Sequence, residues 1–223
     1  MAPACVGIDL AGVERNPTGV AVLRAGQLER LDSVSTDEDI LAVAALATRG
    51  GGAVAINAPL TLPLGRCCLD DECRCRYVPG VRSRQLELQL RRMGVPILAT
   101  GLIKILARRG LRLAAALREA ECGPPLEVYP FATLRLLGLP TTGKRTEAGR
   151  RRIHAALQPL VPGLDHPQAS EHELDAVVCA LTAQLWLAGR ARVVGLAEEG
   201  LMVVPDVQQL PRSEEPRDAT CWV

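Results

Sequence analysis

Aromatic residues are scarce in this 223-residue chain, in which phenylalanine, tyrosine and tryptophan together make up 2%. Proteins that read single-stranded nucleic acid by sequence stack the bases on aromatic side chains. The chain has few such platforms, and sequence-specific recognition of single strands is therefore not expected.

A long hydrophobic run is also missing, although apolar residues make up 48% of the chain. No stretch reaches the ~20 consecutive apolar residues that span a bilayer. The opening MAPACVGID has neither the basic flank nor the long apolar stretch of an export signal. We therefore expect a cytoplasmic protein with no membrane partner, in which the eight cysteines stay reduced.

Lysine is nearly absent, since only Lys104 and Lys144 are lysines among 26 basic residues and the others are arginines. The planar fork of the arginine side chain suits phosphate. The net charge of +1 speaks against a globally basic nucleic-acid binder. Residues 66–118, however, carry 12 basic against 4 acidic side chains. This excess is either a set of solvated helix faces or a phosphate-binding surface beside an acidic centre.

The apolar pattern predicts an α/β fold with a mixed sheet flanked by helices. Three apolar runs joined by two tight turns predict an antiparallel meander, over about residues 5–10, 18–23 and 27–34. A helix from about 37 to 49 and a buried strand over 53–56 follow. Further on, the pattern predicts short strands over 126–129 and 201–204, and helices over about 83–93, 102–120, 131–137, 147–160 and 171–191.

The length and the order of these elements predict one domain over residues 1–205. A cysteine-rich insertion interrupts this domain at about residues 60–80. Residues 206–223 mix prolines and charges without periodicity, so we expect a mobile C-terminal tail. The pattern indicates no particular oligomeric state.

Three acidic residues, Asp9, Glu127 and Asp175, lie within or beside apolar runs. An unpaired buried carboxylate costs several kcal/mol, and a cluster of them needs a cation. Each also has an ordinary explanation: a turn for Asp9, an arginine partner for Glu127, and the helix N-terminus for Asp175. Because the ends of central strands meet at one edge of an open sheet, we expect all three around Mg²⁺ or Mn²⁺.

Five sequence blocks resemble a known family, the predicted nucleases of domain of unknown function 429. In chain order they are VGIDLAG, VAINAPLTLP, EVYPFATLRLLG, HELDAVVCALTA and GLAEEGLMVVP. The resemblance runs from about Val6 to Pro205, and HELDA also resembles the last acidic motif of Holliday-junction resolvases. It implies a ribonuclease H-like fold and a metal-dependent nuclease with Asp9, Glu127 and Asp175 as catalytic ligands, and Glu173 and His172 as helpers.

One position departs from the family pattern, because Asn57 stands where the resemblance implies an aspartate. Asparagine offers a carbonyl oxygen but no negative charge. The site would then be a slow or one-metal nuclease with Asn57 as a neutral ligand, or a noncatalytic nucleic-acid-binding module. An actin-like kinase is disfavoured because the chain has no glycine-rich phosphate loop and is too short.

Nucleic acid, DNA or RNA, is the expected partner of such a site, and its phosphates need cationic contacts. The candidate substrate-binding residues are Arg82, Lys104, Lys144, Arg150 and His172. His172 lies one helical turn before Asp175, whereas His154 and His166 have no partner at ligand spacing and are predicted to lie at the surface.

Half of the cysteines lie in one short segment, as Cys67, Cys68, Cys73 and Cys75. Four thiolates are a ligand set for tetrahedral Zn²⁺, and on ligand count also for an iron–sulfur site. The spacing CC-x₄-C-x-C differs from paired C-x₂-C knuckles. A reduced loop without metal is the other interpretation.

Overall fold

The computed structural model describes residues 2–77 and 82–209. Within these ranges the strands are β1 (Ala4–Asp9), β2 (Thr18–Arg24), β3 (Gln27–Val34), β4 (Gly52–Ile56), β5 (Leu126–Glu127), β6 (Ala191–Leu196) and β7 (Gly200–Pro205). The α-helices are α1 (Asp37–Thr48), α2 (Gln85–Arg92), α3 (Lys104–Glu119), α4 (Pro130–Leu136), α5 (Glu147–Leu157) and α6 (Glu171–Leu187).

The strands form one mixed sheet in the order β3-β2-β1-β4-β5-β7-β6. β1, β2 and β3 form the antiparallel meander, β4 lies parallel to β1, and β5 lies parallel to β4. β7 is parallel to β5, and β6 closes the far edge as its antiparallel partner. This is the mixed sheet that the sequence predicts, with the carboxyl ends of β1, β4 and β5 at one edge.

Helices cover both faces of the sheet. Residues of α4, α5 and α6 share one apolar cluster with one face of the central strands. Residues of α1 and α3 share another cluster with the opposite face. α2 packs over β6 and β7 through Leu86 and Leu90. Among the described residues, no helix is both long enough and apolar enough to cross a bilayer.

Two predicted boundaries at the end of the chain are wrong. The predicted helix over 171–191 ends at Leu187, because Gly189 adopts a left-handed φ of 67° that stops it. The strand Ala191–Leu196 was not predicted, because its apolar residues directly follow the apolar pattern of the helix, and at the sheet edge most of its side chains are exposed. Of the predicted tail, residues 210–223, with Cys221, lie outside the described residues.

One histidine prediction is also wrong. His154 lies on the inner face of α5 and is only 6% exposed. It lies between Ile153 and Leu157 at the edge of the apolar stripe of the helix. The sequence pattern around a single histidine does not show whether its side chain is buried. His166 is exposed, as predicted.

Two glycines set how closely α6 approaches the sheet. A Cβ added to Gly7 would lie 2.0 Å from the carbonyl oxygen of Ala176, and one added to Gly19 would lie 2.1 Å from that of His172. Any side chain at these positions would therefore displace the helix. Gly19 is paired with Asp9 in the β1–β2 register, so this close approach brings the start of α6 to the end of β1.

Candidate active site

Asp9 is the last residue of β1 and is 6% exposed. Its two carboxylate oxygens have separate partners. The side-chain amide of Asn57 donates to Oδ1 over 2.6 Å, and Nδ1 of His172 donates to Oδ2 over 2.7 Å. Because β4 is parallel to β1 and the backbone N–H of Asn57 donates to Ile8, Asn57 follows its strand at the same edge. The amide thus supplies a hydrogen bond where an aspartate would repel Asp9.

Asp175 lies in the first turns of α6 and pairs with Lys144, which precedes α5. Both side chains are mostly buried, with 16% and 18% of their surface exposed. The start of α6 is fixed by a capping box, in which Ser170 accepts from the backbone N–H of Glu173 and the Glu173 carboxylate accepts from the backbone N–H of Ser170. Glu173 therefore caps the helix.

The electrostatics of this cluster join Asp9, Asp175 and His172. The pKa of Asp175 is raised to about 6, chiefly by burial and also by the charge of Asp9, while Lys144 opposes the shift. The hydrogen bond to Asp9 raises the pKa of His172, while partial burial opposes the shift. The site therefore combines two carboxylates, one lysine and one histidine in low-dielectric surroundings. A cation bound there would change the protonation of these side chains.

Glu127 has a different environment. It lies in β5, next to β4 in the sheet, but both of its oxygens bind Arg84, which donates from Nη1 over 2.7 Å and from Nη2 over 2.5 Å. The backbone N–H of Leu60 also donates to it over 2.8 Å. The Arg84 side chain is 1% exposed and that of Glu127 3%. Glu127 is thus one half of a buried, bidentate ion pair.

Arg84 extends this pair into a network. Its Nε donates to Glu87 over 3.1 Å, and Nη1 donates to Thr61 over 2.8 Å. Glu87 in turn accepts from the backbone N–H of Thr100 over 3.0 Å. The network ties α2 and the segments around it to the middle of the sheet. Sequence reasoning weighed an arginine partner for Glu127 but identified no particular one, because nothing in the local pattern marks Arg84 as buried.

The three predicted carboxylates therefore do not form one group. Among residues 2–77 and 82–209, only the four cysteines form a set of three or more Cys, His, Asp or Glu residues with ligand atoms all within 4.8 Å. Asp9 and Asp175 interact electrostatically, with His172 on Asp9 and Lys144 on Asp175. Glu127 is held by Arg84 instead.

The remaining predicted basic residues fall in two places. Arg150 donates to the backbone carbonyl of Lys144 over 3.2 Å, and so supports the segment that carries Lys144 to Asp175. Arg82 and Lys104 line a cleft of about 460 Å³ together with Arg66 and Arg76, and Asp71, which pairs with Lys104, is the acidic residue on its wall.

Helix α3 connects this cleft to the acidic pair. Its N-terminal residue, Lys104, lines the cleft. Further along, its residues Ile105 and Gly110 lie against Gly12 and Pro59, in the segments that follow Asp9 and Asn57. Of the predicted cationic residues, Arg82 and Lys104 thus line this cleft, whereas Lys144 and Arg150 lie by Asp175.

Comparison with known proteins gives three results. A solved structure similar to this chain is T. thermophilus RuvC in complex with Holliday junction substrate, with a TM-score of 0.45 and 15% sequence identity. That match covers 84% of this chain and 96% of the other. No curated protein matches the chain.

A family model matches residues 7–199, and its description is protein of unknown function (DUF429). The match contains the three middle blocks in full and overlaps the first and the last, and the resemblance is confirmed. The chain belongs to the DUF429 family.

Proposed function

We propose that this protein is a divalent-metal-dependent nuclease whose site is built on Asp9 and Asp175. The observation that carries the proposal is the contact between the end of β1 and the start of α6, where His172 donates to Asp9 over 2.7 Å. The charge of Asp9 also raises the pKa of Asp175, whose side chain is mostly buried on the same helix. Open α/β sheets bind ligands at the carboxyl ends of their parallel strands, so carboxylates at these ends are candidate ligands.

The residues present fit one divalent ion and do not fit two. Asp9 and Asp175 would hold it, with Asn57 as a neutral neighbour, because these oxygens are hard donors that Mg²⁺ and Mn²⁺ accept. Glu127 does not fit a second ion, since Arg84 already neutralises it. When bound, such an ion lowers the pKa of a water and stabilises charge on a phosphate oxygen.

The side chains of this chain have separate tasks in that reaction. Asp9 orients the His172 ring through Nδ1, so that Nε2 is the atom that would take or give a proton. Lys144 holds Asp175 in the absence of an ion. Asn57 fixes the Asp9 carboxylate by a hydrogen bond to Oδ1.

The basic cleft supports nucleic acid as the substrate. Arg66, Arg76, Arg82 and Lys104 present four cations against Asp71. Side chains of this kind contact phosphates and position a duplex without reading its sequence. The scarcity of aromatic residues agrees with recognition of the backbone over recognition of bases.

A noncatalytic nucleic-acid-binding module is the second candidate, and one observation favours it. Each acidic side chain already has a partner: Asn57 and His172 on Asp9, Lys144 on Asp175, and Arg84 on Glu127. A site that is neutralised by its own side chains can keep its fold without metal.

Metal-dependent cleavage separates the two candidates. The purified protein would be incubated with Mg²⁺ or Mn²⁺ and duplex, branched and single-stranded DNA and RNA. We expect cleavage that EDTA abolishes and that Asp9→Asn lowers at least about 100-fold, since the change removes one of two anionic ligands.

The matched control is Asp165→Asn, the same change at an exposed carboxylate. Cleavage that survives in Asp9→Asn would come from a contaminant and would contradict the nuclease proposal. Binding of nucleic acid without cleavage under any metal condition would favour the noncatalytic module.

A further inference from the structure

The cysteine segment lies outside the proposed active site and has little structure of its own. Between the end of β4 and the start of α2, the described part of the chain contains one short 3₁₀ turn, Arg74–Tyr77. Leu69 is buried, but the residues around it are mostly exposed. Long irregular segments of this kind have too small a core to hold one conformation without a staple.

The four thiols in this segment converge. Their sulfur atoms all lie within 4.8 Å of one another. Cys67 Sγ lies 3.5 Å from Cys73 Sγ, and Cys68 Sγ lies 3.9 Å from Cys75 Sγ. All four are free thiols. The fold therefore brings together sulfur atoms from two sides of the segment, six and seven residues apart in the chain.

These distances match the geometry of one tetrahedral ion. A Zn–S bond of about 2.3 Å implies a sulfur–sulfur edge of about 3.8 Å in a ZnS₄ tetrahedron. The two measured separations, 3.5 and 3.9 Å, lie on either side of that value. A polynuclear iron–sulfur cluster holds several irons and sulfides between its cysteines, and so spreads the cysteine sulfurs further apart.

We propose that Cys67, Cys68, Cys73 and Cys75 hold one structural Zn²⁺. Four thiolates without an open position are the ligand set of a structural site, in contrast to a catalytic one that keeps a site for water. This ion would hold in place the wall of the basic cleft that carries Arg66 and Arg76.

Arginines bind the backbone of the segment that carries such a site. Four thiolates and one Zn²⁺ carry a net charge of −2, and arginines lie within and beside the segment. Arg66 Nε donates to the carbonyl of Cys68 over 2.9 Å, and Arg108 of α3 donates to the carbonyl of Leu69 over 3.0 Å.

The test is the metal content of protein purified without chelators. Mass-spectrometric metal analysis should find about one zinc per chain, the stoichiometry of a Cys₄ site. Cys73→Ser and Cys75→Ser should each lose most of the zinc. The control Cys122→Ala removes a buried core thiol that belongs to another cluster, and it should keep the full complement.

A second measurement uses the wild-type chain, so that it does not depend on the folding of the variants. Titration with a mercurial thiol reagent should release zinc to a colorimetric dye in step with four thiols, and the midpoint of thermal unfolding should then fall. Four reactive thiols without metal, or iron in place of zinc, would overturn the proposal. Neither outcome depends on nuclease activity, so failure here and failure of the proposed function remain distinguishable.

Discussion

At the scale of single residues, Asn57 is the side chain that most distinguishes this site. Its amide donates to Asp9 over 2.6 Å, so the carboxylate is stabilised by a neutral neighbour. An aspartate there would instead place two anions in contact, which is tolerated only when a cation lies between them. The residue therefore sets how strongly the site depends on metal.

Replacing Asn57 tests this dependence. In metal-free buffer, Asn57→Asp should lower the free energy of unfolding by roughly 1–3 kcal/mol, because it removes a hydrogen bond and adds a buried like charge. Added Mg²⁺ should recover the loss, and thermal melts with and without Mg²⁺ measure both effects. Asn16→Asp, the same change at an exposed position, should show neither. An Asn57→Asp variant that Mg²⁺ leaves unchanged would count against a metal at Asp9.

Asp175 makes folding pH-dependent in a direction that can be checked. Its pKa of about 6 in the folded chain lies above its unfolded value of 3.8. Such a carboxyl favours folding at low pH, and this contribution is lost as the pH rises from about 4 through about 6. The loss amounts to at most about 3 kcal/mol.

Unfolding by urea at several pH values measures this effect. Between pH 4 and 7, wild type should lose stability relative to Asp175→Asn, whose side chain does not titrate. The exposed control Asp165→Asn should follow wild type. Parallel curves for wild type and Asp175→Asn would mean that the carboxyl titrates normally in the fold.

At the scale of elements, the position of α6 decides whether a site exists. The helix carries His172 and Asp175, and it reaches Asp9 only because Gly7 and Gly19 leave no side chain between helix and sheet. The capping box at Ser170 fixes where the helix begins. Backbone contacts, more than side-chain packing, thus place two of the functional groups.

Gly19→Ala tests the role of this close approach. The added Cβ would lie 2.1 Å from the backbone of His172, so the helix must move. We expect a loss of stability of about 2–4 kcal/mol, at or above the usual cost of overpacking, together with loss of Mg²⁺-induced stabilisation. Gly12→Ala is the control, because its Cβ would meet Ile105 at an ordinary 3.5 Å. Equal effects of the two changes would contradict a special role for Gly19.

The Arg84–Glu127 ion pair is the second interaction that positions whole elements, because it holds α2 and its neighbouring segments to β5. Arg84→Met would leave Glu127 and Glu87 buried without their cation. The expected cost is about 3–5 kcal/mol in urea unfolding, the range for breaking a buried pair. Arg82→Met, at an exposed arginine two residues earlier, should cost far less. A small effect of Arg84→Met would mean that Glu127 is free to take another role.

At the scale of the whole molecule, charge is distributed unevenly around a neutral total. The net charge is only +1, but the cleft formed by Arg66, Arg76, Arg82 and Lys104 is locally basic. Helix α3 runs from this cleft to the segments that follow Asp9 and Asn57. We expect a phosphate backbone bound in the cleft to extend along α3 towards the proposed site.

Salt dependence measures how many phosphates the cleft contacts. If Arg82 contacts a phosphate, Arg82→Gln should weaken binding of duplex DNA and reduce the slope of log affinity against log salt by roughly 0.9. Fluorescence anisotropy at several salt concentrations gives that slope. Arg49→Gln, an exposed arginine at the end of α1, should leave the slope unchanged. An unaltered slope in Arg82→Gln would remove the cleft from the binding surface.

Much of the fold is predictable because its signals are local. Two tight turns between apolar runs predict the meander, and period-3.6 patterns predict the helices to within a few residues. The edge strand β6 escapes prediction because its apolar residues continue the pattern of the preceding helix. The end of α6 escapes because the apolar pattern continues past Gly189, whose backbone stops the helix.

The candidate site, like the fold, was predictable only in part. The apolar runs around Asp9, Glu127 and Asp175 predict three buried carboxylates, and all three are buried or nearly so. Which cation each one meets depends on residues far away in the chain: Lys144 for Asp175 and Arg84 for Glu127. A local pattern predicts that a carboxylate is buried and therefore needs a partner, but it does not identify that partner.

By itself, then, the sequence determined the order of the strands and helices other than β6, the family, and the presence of carboxylates in apolar surroundings. Only the tertiary structure separated Glu127 from Asp9 and Asp175, joined His172 to Asp9, and brought four cysteine sulfurs within 4.8 Å. The physical reason is that burial follows from local hydrophobicity, whereas pairing of charges and ligands depends on contacts between segments that the sheet brings together.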